Sequence, residues 1–270
     1  MNYPEPPPNS DRDEAVAGWR QELQWLLLAV QFYTRLPVRL LLPYREQDLN
    51  RASRFISLVG WLVAIPAALT MALGFTWYGP WGGAVLAILT GVIVTGAFHE
   101  DGLADAVDGF GGGLNQAHIL EIMKDSRVGT YGALALVFAV LLKVVLLAQL
   151  QLFQAMLLLW VVHAGSRALA ISLLLDLPYV QADQRSKVKP IAKSIEPQDV
   201  WLALATGIMP MLFLPWQTIL SLLLGLGLLR WCSRHYLQSR LGGYTGDCLG
   251  AVQQLAELLI YLLVVAQTAH

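Results

Sequence analysis

Charge is what this chain of 270 residues has least of. Asp, Glu, Lys and Arg make up 14% of it, against roughly 25% in an ordinary soluble domain. Beside 56% apolar residues and a mean hydropathy of +0.54, that shortage excludes a water-soluble globular fold and points to an all-α, polytopic transmembrane bundle. Nor is there a basic surplus: 18 Lys and Arg stand against 19 Asp and Glu, for a net charge of −1, so no basic surface is on offer to nucleic acid. The two cysteines, Cys232 and Cys248, match no zinc spacing and make no disulfide framework. The Pro-rich, acidic start (PEPPPNSDRDE) has neither the short apolar core nor the cleavage site of a secretory signal. Residues 1–18 are expected to be a disordered tail and 19–270 a single integral-membrane domain.

A spanning helix needs roughly 20 apolar residues. Seven segments qualify or nearly do: 55–78, 81–98, 130–149, 152–175, 199–214, 217–232 and 249–268. The pair at 199–214 and 217–232 is short and fits either two tilted helices or one broken pair. The apolar stretch 24–43 is interrupted by Arg35, Pro37 and Arg39, and reads as an interfacial or re-entrant helix. With seven crossings, 16 of the 18 basic residues fall on the N-terminal side, and only Lys143 and Arg167 lie inside spans. The positive-inside rule makes that side cytoplasmic. The opposite loops, near 79, 150 and 215, are very short, so an active site is expected to open to the cytoplasm.

The richest stretch is His99-Glu100-Asp101-Gly102-Leu103-Ala104-Asp105-Ala106-Val107-Asp108-Gly109. Asp101, Asp105 and Asp108 are spaced i, i+4, i+7, which places all three within about a 60° arc of one helix face. Like charges at this spacing repel, and no Lys or Arg occurs from residue 55 to residue 123. A cation must therefore come from another helix or from solution. Mg²⁺ suits the donors, since it takes carboxylate oxygens together with water and substrate phosphates. The alternative is a solvated acidic face. It is disfavoured because the run abuts an apolar span and its remaining positions are small or apolar. Gly109-Phe110-Gly111-Gly112-Gly113 lacks the Lys-Ser/Thr of a P-loop, and Gly109 reads as a helix C-cap.

Lys124 and Arg127, the only Lys and Arg of the 99–129 connection, suit either phosphate binding or membrane anchoring. Asp125 either joins the metal set or pairs with one of them. Gly242-Gly243-Tyr244-Thr245-Gly246-Asp247 precedes the last span, where glycines at a helix start present N–H groups to an anion; Gly243 and Thr245 are the substrate-contact candidates. Asp247 is either an N-cap or a further metal ligand. Arg35 either snorkels or reaches a substrate phosphate. His99 is a candidate base or a structural histidine. His163 and Arg167 share a face, and Glu257, costly in an apolar helix, is expected to pair with a basic group such as Arg167.

Four blocks, FYTRLPV (32–38), HEDGLADAVDGFGGG (99–113), IMKDSRVGTYGALAL (122–136) and GGYTGDCLGA (242–251), together resemble the cobalamin synthase family, the adenosylcobinamide-GDP ribazoletransferases. The resemblance implies an Mg²⁺-dependent enzyme of a bacterial-type cytoplasmic (inner) membrane. Its reaction joins adenosylcobinamide-GDP to α-ribazole, or its 5′-phosphate, with release of GMP. On that reading Asp101, Asp105 and Asp108, with Asp247, hold Mg²⁺ on the diphosphate. Glu100 is a second-rank ligand, one of the carboxylates or His99 takes the hydroxyl proton, and Lys124, Arg127 and Arg35 neutralise phosphate oxygens. Oligomeric state is left open. Two other classes remain. A CDP-alcohol phosphotransferase shares the opening Asp101-Gly102-Leu103-Ala104, but expects Arg where Asp105 stands and Asp where Asn115 stands. A cation-coupled transporter would use Glu257, Arg167 and His163 as a relay.

Overall fold

The computed structural model describes residues 10–41, 46–180 and 195–268. Among them are ten α-helices and no strand. α1 (Ser10–Tyr33) leads through an extended stretch, 35–40, towards α2 (Glu46–Ala52). Of the tail expected over 1–18, residues 1–9 lie outside the described ones, and from Ser10 the backbone is helical. The break after α1 falls where Arg35 and Pro37 interrupt the apolar run.

α3 (Ile56–Thr95) is a helical hairpin. Its two arms, the expected spans 55–78 and 81–98, fold back on each other at Gly79, whose φ of 73° leads into Pro80. Glycine takes that backbone without penalty. The arms touch through Gly74 and Gly83; a Cβ on Gly74 would lie 2.8 Å from the Gly83 Cα. Trp77, Tyr78 and Trp81 crowd the tip, all exposed, as aromatic residues do at a bilayer interface.

α4 (Phe98–Gly112) and α5 (Gln116–Lys124) follow, then α6 (Thr130–Leu147) and α7 (Leu152–Ser172). α7 is the hub, packed against α3, α8 and α10, with every residue from Val161 to Ser172 buried. Its polar residues His163, Ser166, Arg167 and Ser172 lie in that buried stretch, where other helices and not lipid surround them. α8 (Pro197–Ile208) runs into a 3₁₀ turn (Met209–Phe213), and α9 (Trp216–Leu241) and α10 (Gly246–Thr268) form the last hairpin, tied at its far end by Thr218 Oγ1 donating to Gln267 Oε1 at 2.7 Å.

Four described segments are long and apolar enough to cross a membrane: Asp48–Thr95, which is the folded hairpin, Thr130–Leu147, Leu152–Leu175 and Gly246–Thr268. The segments expected at 199–214 and 217–232 are not among these four: the first is a short helix, α8, continued by the 3₁₀ turn Met209–Phe213, and the second lies within α9. α8 has 12 residues, about 18 Å, against a hydrocarbon core of roughly 30 Å.

Candidate active site

The chain enters α4 through a sharp corner. Gly96 (φ 66°) and Ala97 (φ 59°) both sit in the left-handed region, an uncommon place for an alanine. The extended stretch after α1 braces the corner: Arg35 donates its backbone N–H to the Val94 carbonyl at 2.8 Å, and its side chain lies over Gly96 where a Cβ would otherwise be. Phe32 and Tyr33 pack edge-on against Phe98, with ring centroids 5.5 and 5.8 Å apart. Two blocks far apart in sequence, 32–38 and 96–101, are thus one unit. The Arg35 side chain is exposed and makes no ion pair among the described residues.

α4 then runs along the start of α10, backbone to backbone. A Cβ on Gly102 would lie 3.0 Å from the Asp247 carbonyl oxygen and 3.2 Å from the Gly250 Cα. This contact sets Asp101 and Asp105 beside Asp247, two carboxylates from one helix and one from another. None of the three has a hydrogen bond or ion pair among the described residues. Asp105, half-buried, is pushed up to about 6 by burial first, and then by Asp101, Asp247 and Asp108. All of these influences raise it, and among the described residues no cation offsets them at Asp105.

Asp108 differs from its neighbours. It is buried and its oxygens are spoken for: Oδ2 accepts the Gly129 N–H at 2.7 Å and Oδ1 the Gly132 N–H at 2.9 Å. It closes the first turn of α6, whose leading N–H groups have no helical partner. A Cβ on Gly129 would lie 2.5 Å from Asp108 Oδ1, which explains a glycine there.

Glu100 and His99 turn inward. Glu100 Oε1 accepts from Gln254 Nε2 at 3.1 Å, and its other oxygen is buried. His99 is buried; desolvation, then Arg167, hold it well below the usual histidine range, leaving a neutral imidazole. Lys124 is exposed and unpaired among the described residues, whereas Arg127 closes on Asp125 at 2.6 Å in an exposed pair. Gly243 is buried against the Pro178 carbonyl, and the Tyr244 N–H donates to that same oxygen at 3.0 Å. Thr245 is the N-cap of α10, its hydroxyl accepting the Cys248 N–H at 3.2 Å. That leaves Asp247 in the first turn rather than at the cap. Gly243 and Thr245 therefore build the site without facing an open ligand space.

Sequence reasoning missed a buried charged lattice beneath α4. Glu257 pairs first with Lys143, at 2.5 Å, ahead of His163 at 3.4 Å and the expected Arg167 at 3.9 Å. Gln253 and Gln254, which drew no attention as residues, knit this pair to Ser166 and Glu100. The signal available was cost: two opposite charges isolated in apolar helices seek each other. On the face of α4 away from the aspartates lies an apolar cavity of about 400 Å³ lined by Leu103, Val107, Phe110, Tyr131, Tyr236 and Val252.

Among the described residues no group of three His, Cys, Asp or Glu side chains is close enough to cage a metal ion. Mg²⁺ does not need such a cage, because it keeps several waters and is commonly held by one or two carboxylates plus phosphate oxygens. Hard oxygen donors with no cation of their own, as at Asp101, Asp105 and Asp247, fit that ion.

Comparison with known proteins decides the family. A family model described as cobalamin-5-phosphate synthase matches residues 25–265. The chain belongs to the cobalamin-5-phosphate synthase family. Relatives in the family include a Vibrio cholerae protein named adenosylcobinamide-GDP ribazoletransferase, 42% identical over 252 residues, which cover 93% of this chain and 97% of that one. A Shewanella pealeana protein of the same name is 44% identical over 251 residues, covering 92% and 97%. No solved structure gives a significant match. The cobalamin-5-phosphate synthase match takes in all four sequence blocks and every residue of the acidic seam, and it displaces the CDP-alcohol and transporter readings.

Proposed function

We propose that the chain transfers the adenosylcobinamide-phosphate group of adenosylcobinamide-GDP to a hydroxyl of α-ribazole or its 5′-phosphate. The hydroxyl oxygen forms a new bond to the phosphorus bearing the corrinoid arm, the bond from that phosphorus to the bridging oxygen of the diphosphate breaks, GMP leaves with the bridging oxygen, and the hydroxyl proton passes to a base or water. The observation that carries this reading is the α4–α10 seam, which gathers three uncompensated carboxylates in a chain whose relatives are named for handling a nucleoside diphosphate derivative.

One or two of Asp101, Asp105 and Asp247 would hold Mg²⁺, with water and phosphate oxygens completing its shell. When bound, the ion supplies the positive charge that lets an anionic diphosphate sit against an acidic helix and accept the charge that develops on the leaving group. The protein's own groups bind and orient. Exposed Lys124 and Arg35 would offer charge to phosphate oxygens, and Arg127 would exchange Asp125 for phosphate at little cost, since an exposed pair is weak. Asp108 fixes where α6 begins, and the brace from Arg35 fixes where α4 begins. A carboxylate of the seam that is not engaged with the ion would accept the hydroxyl proton. The chain lies in a cytoplasmic membrane. Its basic connections, and with them the acidic seam and the N-terminus, lie on the cytoplasmic side, while the aromatic tip of α3 meets the opposite interface.

Purified protein in lipid nanodiscs, given adenosylcobinamide-GDP and α-ribazole, is expected to release GMP in step with corrinoid product, with Mg²⁺ required. Turnover that persists in excess chelator, or an Asp101→Ala/Asp105→Ala protein as active as the parent, refutes the assignment.

A further inference from the structure

Gly102 and Gly250 bring α4 and α10 into close contact, but two glycines offer nothing that interlocks. The apolar side chains beside them, Leu103 and Ala106 against Cys248, Ala251 and Val252, pack without any directional bond, so they fix the rotation of α4 less sharply than a hydrogen bond does. What fixes it sharply is polar and lies one residue before the reactive face. Gln254 Nε2 donates to Glu100 Oε1 at 3.1 Å, and Gln254 Oε1 accepts from Lys143 Nζ at 2.6 Å. The orientation of that amide is forced. Lys143 carries only donors, so the carbonyl end must face it, and the NH₂ end is left for Glu100, which as a carboxylate only accepts. Lys143 is itself held by Glu257 at 2.5 Å, Glu257 accepts from Gln253 Nε2 at 2.6 Å, and Gln253 Oε1 accepts from Gln254 Nε2 at 3.0 Å. Lys143, Gln253, Gln254 and Glu257 are all buried, so no water competes for these bonds.

We propose that Gln254, aligned by Lys143, is a positioning residue: by gripping Glu100 it sets the rotation of α4 and so turns Asp101 and Asp105 towards Asp247. Asp108 pins the same helix to α6 eight residues on, about 12 Å further along. Two carboxylates of α4 are anchors, and the two between them face the ligand. This inference rests on the use of Asp101, Asp105 and Asp247 proposed above.

The test is an exchange of donor and acceptor. Gln254→Glu keeps the shape of the side chain and its contact with Lys143 but sets a carboxylate against Glu100; kcat is expected to fall on the order of 10²-fold, with weaker Mn²⁺ binding read by electron paramagnetic resonance. Glu100→Gln alone also loosens the grip. The double variant Glu100→Gln/Gln254→Glu reverses the hydrogen bond with the same atoms and the same charge, and is expected to recover kcat, Mn²⁺ affinity and melting temperature together. A double variant that melts like the parent yet stays as inactive as Glu100→Gln overturns the proposal, because the carboxylate at position 100 then acts directly. Parent kcat and Mn²⁺ affinity in Gln254→Glu overturn it too. If Gln254→Glu does not fold, the double variant against Glu100→Gln alone still decides. If the parent itself neither binds Mn²⁺ nor releases GMP, the proposed function falls, while the coupling of positions 100 and 254 in melting temperature still reports the grip.

Discussion

Two sets of charges lie within a few residues of each other on α4 and α10, and they are built on opposite terms. At the seam, Asp101, Asp105 and Asp247 crowd together with no cation and no hydrogen-bond donor among the described residues. One helical layer inward, Lys143, Glu257, Gln253 and Gln254 are linked donor to acceptor, and the chain of bonds ends on Glu100 Oε1, the other oxygen of that carboxylate being buried without a partner. The lattice spends its charge on holding helices together, because an unpaired ion there is untenable. The seam leaves its charge unspent, which is tolerable only at an edge that solvent or a ligand can reach. Of the two, only the seam has affinity left over for something that is not protein.

Substitutions should separate the two sets sharply. Lys143→Met strands Glu257 in the interior and is expected to cost about 3–5 kcal/mol, enough to prevent folding in detergent. Lys143→Met/Glu257→Gln should regain most of that loss, as thermal melting will show. Asp105→Asn should do the reverse, lowering kcat for GMP release about 10²–10³-fold while leaving the melting temperature unchanged or higher, since a repelling charge is gone. An Asp105→Asn protein that unfolds would erase the distinction between seam and lattice.

Gly102→Ala forces a methyl against the Asp247 backbone and should destabilise by about 1–3 kcal/mol, with turnover suffering more than melting because the seam opens. Smaller still is a pH effect. The folded-state pKa of Asp105 is raised above its ordinary 3.8 to about 6, so stability present below pH 3.8 is lost as pH rises through about 6. Melting temperature of the Mg²⁺-free protein should decline over that window, and Asp105→Asn should flatten the decline. Arg127→Ala should leave melting unmoved, because its pair with Asp125 is exposed, and should show only as a higher KM for the nucleotide substrate.

The acidic face was legible from spacing alone, because helical geometry turns i, i+4 into a direction. The hairpin at Gly79 and Pro80 was legible from two apolar runs with a breaker between them. Spacing gives the angle of a side chain but not what it meets. Asp108 shares its arc with Asp101 and Asp105, yet the start of α6 claims it, and only the fold brings Gly129 and Gly132 there. Gly102 and Gly250 are two among 23 glycines, and nothing local marks them as partners. Lys143 in an apolar helix was visible, but Gln253 and Gln254 were not, because an amide takes its meaning from its neighbours.

The forced direction of the Gln254 amide has an evolutionary consequence. Because Lys143 carries only donors and both of its acceptors, Gln254 and Glu257, stand on α10, that helix cannot shift by a turn against α6 without stripping a lysine bare in hydrocarbon. Register is therefore stored a layer away from the chemistry. The aspartates of the seam can be exchanged one at a time while the bundle that carries them stays in place.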